Sequence, residues 1–152
     1  MGAQHALSAS WPRYKKPGRT AMVSRILLPI DLDHIASWKK SVTTAIELTR
    51  LYDAELVVLS VFPQMEADFS QFPTHHLPAV EVFRREYLPE DIRSRAIYRS
   101  GTVARGIRAA INQEQIDLVV MASHNPNLGD YVMGSNAANV VLHSPCSVLV
   151  VR

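Results

Sequence analysis

Thiols are almost absent: one cysteine, Cys146, stands in 152 residues. No internal disulfide can form, so the fold must be held by its core, which a chain of this length can bury unaided. A reducing cytoplasm is the expected location. Long apolar runs are missing as well. None approaches the roughly 18 residues that a membrane span needs, so a soluble protein without a membrane partner is expected. The phosphate-loop pattern G-x-x-x-x-G-K-[ST] does not occur, and no lysine stands between Met121 and Asn136. The six histidines are scattered without ligand spacing, so no metal ligand set is named.

Acids are missing from one end. Residues 1–21 hold Arg13, Lys15, Lys16 and Arg19 and no Asp or Glu, so residues 22–152 carry 12 basic against 14 acidic groups, although the whole chain sums to +2. The body is therefore not basic, and a nucleic-acid partner is not expected. The tail lacks a helical apolar face, a signal-peptide core and a cleavage site. Residues 1–23 read as a flexible N-terminal extension and 24–152 as the domain, with Met22 looking like a natural start just ahead of the first strand.

What is present is an alternation of strand and helix. Arg25–Asp31 is a short apolar run ending in an acid. Ile35, Trp38, Val42, Ala45, Ile46 and Thr49 share one face of a helix ending near Tyr52, and Ala54–Phe62 is a second strand. Pro63 to Leu77 reads as loop, Val80 to Tyr87 as about two helical turns, and Arg93 to Tyr98 as a more exposed strand. Val103, Ile107, Ala110 and Ile111 line a further helix before a strand at Asp117–Ala122, and Ser147–Val151 closes the sheet. Five strands interleaved with four helices predict an α/β fold, a doubly wound parallel sheet with helices on both faces and a shortened second helix. Val80, Val82, Phe83, Tyr87 and Leu88, with Phe69 and Phe72, are the residues expected to cover the face that the short helix leaves.

The richest stretch runs from Met121 to Val151. A run without alternation, Asp117–Ala122, belongs to a strand covered on both faces. Ser123 to Met133 has the Asn, Gly and Pro of a loop, and Gly134-Ser135 precedes a helical pattern over Asn136–His143, with Ser135 or Asn136 as its cap. Gly134 permits close approach of another backbone or a phosphate. Strand end, polar loop and helix start together make a phosphate-binding corner, since the first helical N–H groups have no partner in the helix. Ligands of such sheets gather at the carboxyl ends of the strands, where Asp31, Val61 and Ala122 stand. Asp31 can bond ribose or adenine donors there, or it can serve as a cap for the helix that follows.

Pro29-Ile-Asp31, the strand end at Val61, Ser100-Gly101, and above all ASHNPNLGDYVMGSNAANVVLHSPCSVLVVR resemble the universal stress protein family, in particular its small single-domain F/G-type branch. The resemblance implies strand order 3-2-1-4-5 and ATP, with or without Mg²⁺, held between the first and fourth strands. Carried over by position, it sets Asp31 against ribose or adenine with Pro29 behind it, and Val61 against the base. It places Ala122 and Asn125, with Ser123 between them, where the ATP-binding pattern has its G-x-x-G, and Gly134, Ser135 and Asn136 on the phosphates. Two of three motif glycines are thus replaced, and eight residues rather than nine separate Asn125 from Gly134. Ala adds only a methyl and Asn tolerates left-handed φ, so the loop path stays open.

No residue is assigned a catalytic role. His124 is the only titratable base in the loop, and Asp33 or Asp130 could reach Mg²⁺ only through water. The apolar strand Ser147–Val151 should be a sheet edge, and the resemblance implies a homodimer through it. The expected function is an adenine-nucleotide-binding regulatory protein of the stress response. The alternatives are a nucleotide-free protein-interaction module of the same fold and a weak ATPase.

Overall fold

The structure is a computed structural model that describes residues 22–32, 35–62, 73–123 and 133–152. Strand and helix alternate in the order β1 (Arg25–Ile30), α1 (Ile35–Tyr52), β2 (Glu55–Phe62), α2 (Pro73–Tyr87), β3 (Arg93–Ser100), α3 (Val103–Gln113), β4 (Leu118–Ala122), α4 (Ser135–His143) and β5 (Ser147–Val151). All strand pairs are parallel, and the order across the sheet is β3-β2-β1-β4-β5. This is the expected doubly wound sheet, with β5 at one edge and β3 at the other.

The period-two alternation of a strand divides the core into two layers. Ile26, Leu28 and Ile30 of β1, with Leu56 and Val58 of β2 and Val120 of β4, pack against Trp38, Val42 and Ala45 of α1 and Val80 and Phe83 of α2. Leu27, Val57, Leu59, Val119 and Met121 face the other way, onto Ile107, Ala110 and Ile111 of α3 and Ala137 and Val140 of α4. Because β1, β2 and β4 are covered twice, their sequences are continuous apolar runs, as parallel strands require.

α2 differs from expectation. It begins at Pro73 and spans 15 residues, with Pro78 inside it, so it makes about four turns where two were expected over Val80–Tyr87. Proline at the first helical position is favourable because its missing N–H has no helical partner in any case. Pro78 is unfavourable, but packing overrides the local preference. Val80, Phe83 and Leu88 are buried as expected, while Val82 points outward at 58% exposure. Trp38 meets Phe83 edge-on at 4.7 Å and Tyr87 at 4.9 Å between ring centroids. Phe69 and Phe72 lie outside the described residues.

The amino ends of the strands are tied by charge. The Asp117 carboxylate accepts from the backbone N–H of Ser24 at 2.7 Å and of Arg25 at 2.9 Å. Glu55 pairs with Arg25 and Arg95, and Glu114 with Arg95 and Arg99. Among the described residues no helix is long and apolar enough to cross a membrane.

Candidate functional site at the carboxyl ends of the strands

The chain leaves β1 toward β2 and β3 on one side and returns to β4 and β5 on the other. Strand order therefore reverses between β1 and β4, the point where a crevice forms outside the carboxyl ends. Pairing there is uneven. β1 is in register with β2 from Arg25↔Glu55 to Ile30↔Ser60, but with β4 only at Ile26↔Leu118 and Leu27↔Val119.

Pro29 accounts for the difference. Successive residues of a strand turn their N–H and C=O to opposite neighbours. The Ser24 carbonyl accepts from Glu55 N on the β2 side, and the Arg25 carbonyl accepts from Asp117 N on the β4 side. Alternation then directs the backbone of Leu27 and Pro29 toward β4. Proline has no N–H to donate, so hydrogen-bonded pairing with β4 stops at Leu27 and the carboxyl ends of the two strands are not joined by a further rung. Asp31 is the exposed residue that follows β1.

Val61 lies one residue beyond the last rung between β2 and β1. The Phe62 carbonyl accepts from Gly101 N at 2.9 Å, on the β3 side, so the peptide groups of Val61 turn toward β1 and the crevice. Its side chain is half-buried against the core layer of α3 and α4.

Ser123 closes the other wall. Its N–H donates to the Val151 carbonyl at 3.0 Å, and its carbonyl accepts from Gly134 N at 3.2 Å. The strand end is thereby fixed both to β5 and to the residue that starts α4, so the two ends of the segment between Ser123 and Gly134 are held by one hydrogen bond. Ala122 is the last residue of β4. His124, Asn125 and Asp130 lie outside the described residues, as does Asp33.

α4 is capped one position earlier than expected. Gly134, not Ser135 or Asn136, is the N-cap, with φ −58° and ψ 149°. Its N–H is held by Ser123, and its carbonyl takes the first helical bond from Ala138 N at 2.9 Å, so closure onto β4 decides where the helix begins. These dihedrals suit any residue. Gly134 is buried, and its conformation does not require glycine. The amides of Ser135, Asn136 and Ala137 precede the first helical bond, and glycine has no side chain to cap them. Ser135 and Asn136 are exposed at this positive end of the helix dipole.

The α4 side of the site has no cationic side chain of its own. No Lys or Arg occurs from Met121 to Asn136, so an anion would meet backbone amides and a dipole. Among the described residues no cluster of His, Cys, Asp and Glu could hold a metal ion. Burial pushes the Cys146 thiol up, and the Asp117 charge adds to the effect, which keeps it protonated and unsuited to nucleophilic chemistry. Sequence reasoning reached the positions of Pro29, Asp31, Val61, Ala122, Ser123 and Gly134–Asn136, which the fold brings to one end of the sheet. It did not single out Gly106, although an isolated glycine in a helical pattern is a signal of close packing.

The sequence profile of the Universal stress protein family matches residues 22–152. Universal stress protein G of Shigella flexneri is 27% identical over 143 residues, covering 86% of this chain and 100% of that protein. Among solved structures, universal stress protein UspA from Lactobacillus plantarum has a TM-score of 0.64 at 22% identity, covering 86% of this chain and 98% of its own. A universal stress protein family protein from Arabidopsis thaliana, with AMP bound, has a TM-score of 0.61 at 17% identity, covering 84% of this chain and 90% of its own.

Proposed function

The chain belongs to the universal stress protein family, and on that premise we propose that it is an adenine-nucleotide-binding regulatory protein of the stress response that acts as a homodimer. ATP is the ligand, and it sets conformation or dimer contacts; turnover is incidental. The observation that carries this reading is the closure of β4 onto α4 through Ser123 and Gly134, which presents uncapped amides beside the reversal of strand order. AMP bound to a relative of the same fold supports it.

In this reading Asp31 takes ribose or adenine donors and Val61 offers the base its peptide groups. Pro29 keeps the β1 side of the crevice free of a further rung. Ala122 and Asn125, with Ser123 between them, take the places of the family's G-x-x-G, and Gly134, Ser135 and Asn136 receive the phosphates.

The lack of Lys and Arg from Met121 to Asn136 favours a second reading, a nucleotide-free interaction module of the same fold. The two readings part in one experiment. Purified protein is denatured, released nucleotide is identified by mass spectrometry and absorbance, and the emptied protein is titrated with ATP, with and without Mg²⁺. Retained adenine nucleotide or micromolar binding is expected. Asp31→Ala should weaken binding about 10- to 100-fold, the effect of one lost hydrogen bond to a charged acceptor. Gly134→Val should block it by filling the approach to the amides. No nucleotide and no binding at millimolar ATP would leave the interaction module as the function.

A further inference from the structure

Gly106 is buried in the interior of α3, where glycine is a poorer helix former than alanine. Its φ is not positive, so conformation does not require glycine. Space does. A Cβ at position 106 would stand 2.7 Å from Cγ2 of Val61 and 2.9 Å from Cγ1, well inside van der Waals contact.

Val61 cannot easily yield. Its β-branched side chain has few rotamers and packs into the core layer with Ile97 and Ala104. Its backbone is held by register with Arg99 in β3, and the next residue, Phe62, accepts from Gly101. Gly101, at φ 114°, turns the chain from β3 into α3. The helix is thus fixed to this end of the sheet at both its entrance and Gly106.

From this geometry we infer that Gly106 is a positioning residue for base recognition: by carrying no Cβ, it lets α3 seat directly on Val61 and so sets where the Val61 peptide stands in the crevice. The inference rests on the nucleotide reading above. A methyl at 106 must lift α3 or drive Val61 toward the crevice. Either movement misplaces the groups that face the base, while the start of α4 keeps its own tie to β4 through Ser123 and Gly134.

The test compares Gly106→Ala, Val61→Ala and the double variant, with ATP, adenosine and inorganic tripolyphosphate as probes. Gly106→Ala should lose about tenfold or more in affinity for ATP and adenosine, the effect of a misplaced hydrogen bond, with tripolyphosphate unchanged. In the Val61→Ala background, where the two methyls are gone, adding Gly106→Ala should change nothing. The amide resonances of Val61, Phe62 and Gly101 should shift in Gly106→Ala and return toward those of Val61→Ala in the double variant. Equal losses for ATP and tripolyphosphate, unchanged adenosine binding, or a loss that persists in the Val61→Ala background would overturn the inference. If the unchanged protein binds none of the three probes, the nucleotide reading falls by itself, and the amide shifts alone decide whether Gly106 places Val61.

Discussion

One absent N–H at Pro29 and one absent Cβ at Gly106 shape the two sides of the same crevice. Replacing Pro29 restores a donor aimed at β4. Because Ser123 turns its N–H to β5, alternation turns Val120 toward β1, so the new amide of Pro29→Ala would face the Val120 carbonyl. We expect that amide to exchange slowly with solvent, stability to change by no more than about 1 kcal/mol, and ATP affinity to fall several-fold. Hydrogen exchange of residue 29 checks the first point; exchange at the rate of an unstructured amide would refute the account of why pairing stops at Leu27. Asp31 was legible in sequence as an acid that ends an apolar run at a strand's carboxyl end, whereas Pro29 was marked only by the family resemblance, because the effect of its missing N–H depends on which neighbour the strand faces. The cap of α4 was misread by one residue because Ser135 and Asn136 are the better intrinsic caps. What decides the matter is the Ser123–Gly134 bond, which joins residues that no local rule connects.

At the scale of elements, α2 shows how composition conceals a helix. Pro73-Thr-His-His-Leu-Pro78 has the punctuation of a loop, and no apolar periodicity precedes Val80. The helix is held by what it touches: Val80 and Phe83 bury against the sheet and α1, and charge fixes its solvent side. Glu81 accepts from Arg84 at 2.6 Å and pairs with Arg85 at 3.1 Å. The Arg84 guanidinium, and secondarily Arg85, hold the Glu81 carboxyl below its usual range. A folded pKa below the unfolded one adds stability above the ordinary carboxylate range and loses it as pH falls through the folded value. Glu81→Gln should therefore cost no more than about 1 kcal/mol near neutral pH, as a part-exposed pair does. The difference from the unchanged protein should vanish in acid. Denaturant midpoints measured from neutral pH down to below the carboxylate range check this, and a deficit that persists in acid would assign the effect to packing instead. The other elements were readable because their patterns are unbroken. β1, β2 and β4 are apolar runs, and Ile107, Ala110 and Ile111 mark the inner face of α3.

At the scale of the molecule the two sheet edges are unlike. On β3, Arg93, Arg95 and Arg99 crowd the strand, and Arg99 Nη1 donates to the Tyr98 carbonyl at 2.8 Å. Alternation from the Gly101–Phe62 bond turns that carbonyl outward, so the side chain occupies a group that another strand would need. β5 is apolar, with Leu149 exposed at 38% and Val141 and Leu142 of α4 also exposed. Val151 turns its carbonyl to Ser123 of the adjacent strand, which leaves the backbone of Val148 and Val150 directed outward. The proposed homodimer pairs through these groups. Val150→Pro would remove one outward donor while sparing Ser147, Leu149 and Val151, whose backbones face β4, and edge strands tolerate proline at such positions. Sedimentation should give twice the 17.0 kDa chain mass for the unchanged protein and a monomer for Val150→Pro, with Ala96→Pro on the outward side of β3 as a dimeric control. A dimeric Val150→Pro would move the interface elsewhere. Ser123 also joins β5 to Gly134 at the start of α4, where the proposed nucleotide would set its phosphates, so in that reading pairing and nucleotide act on one residue. Linkage then requires that whatever factor ATP contributes to dimer affinity, dimerisation contributes to ATP affinity. Val150→Pro should bind ATP more weakly than the unchanged protein by that same factor, measured by titrating ATP below and above the dimer dissociation constant; equal affinities at both concentrations would show that the clamp at Ser123 does not couple the two sites.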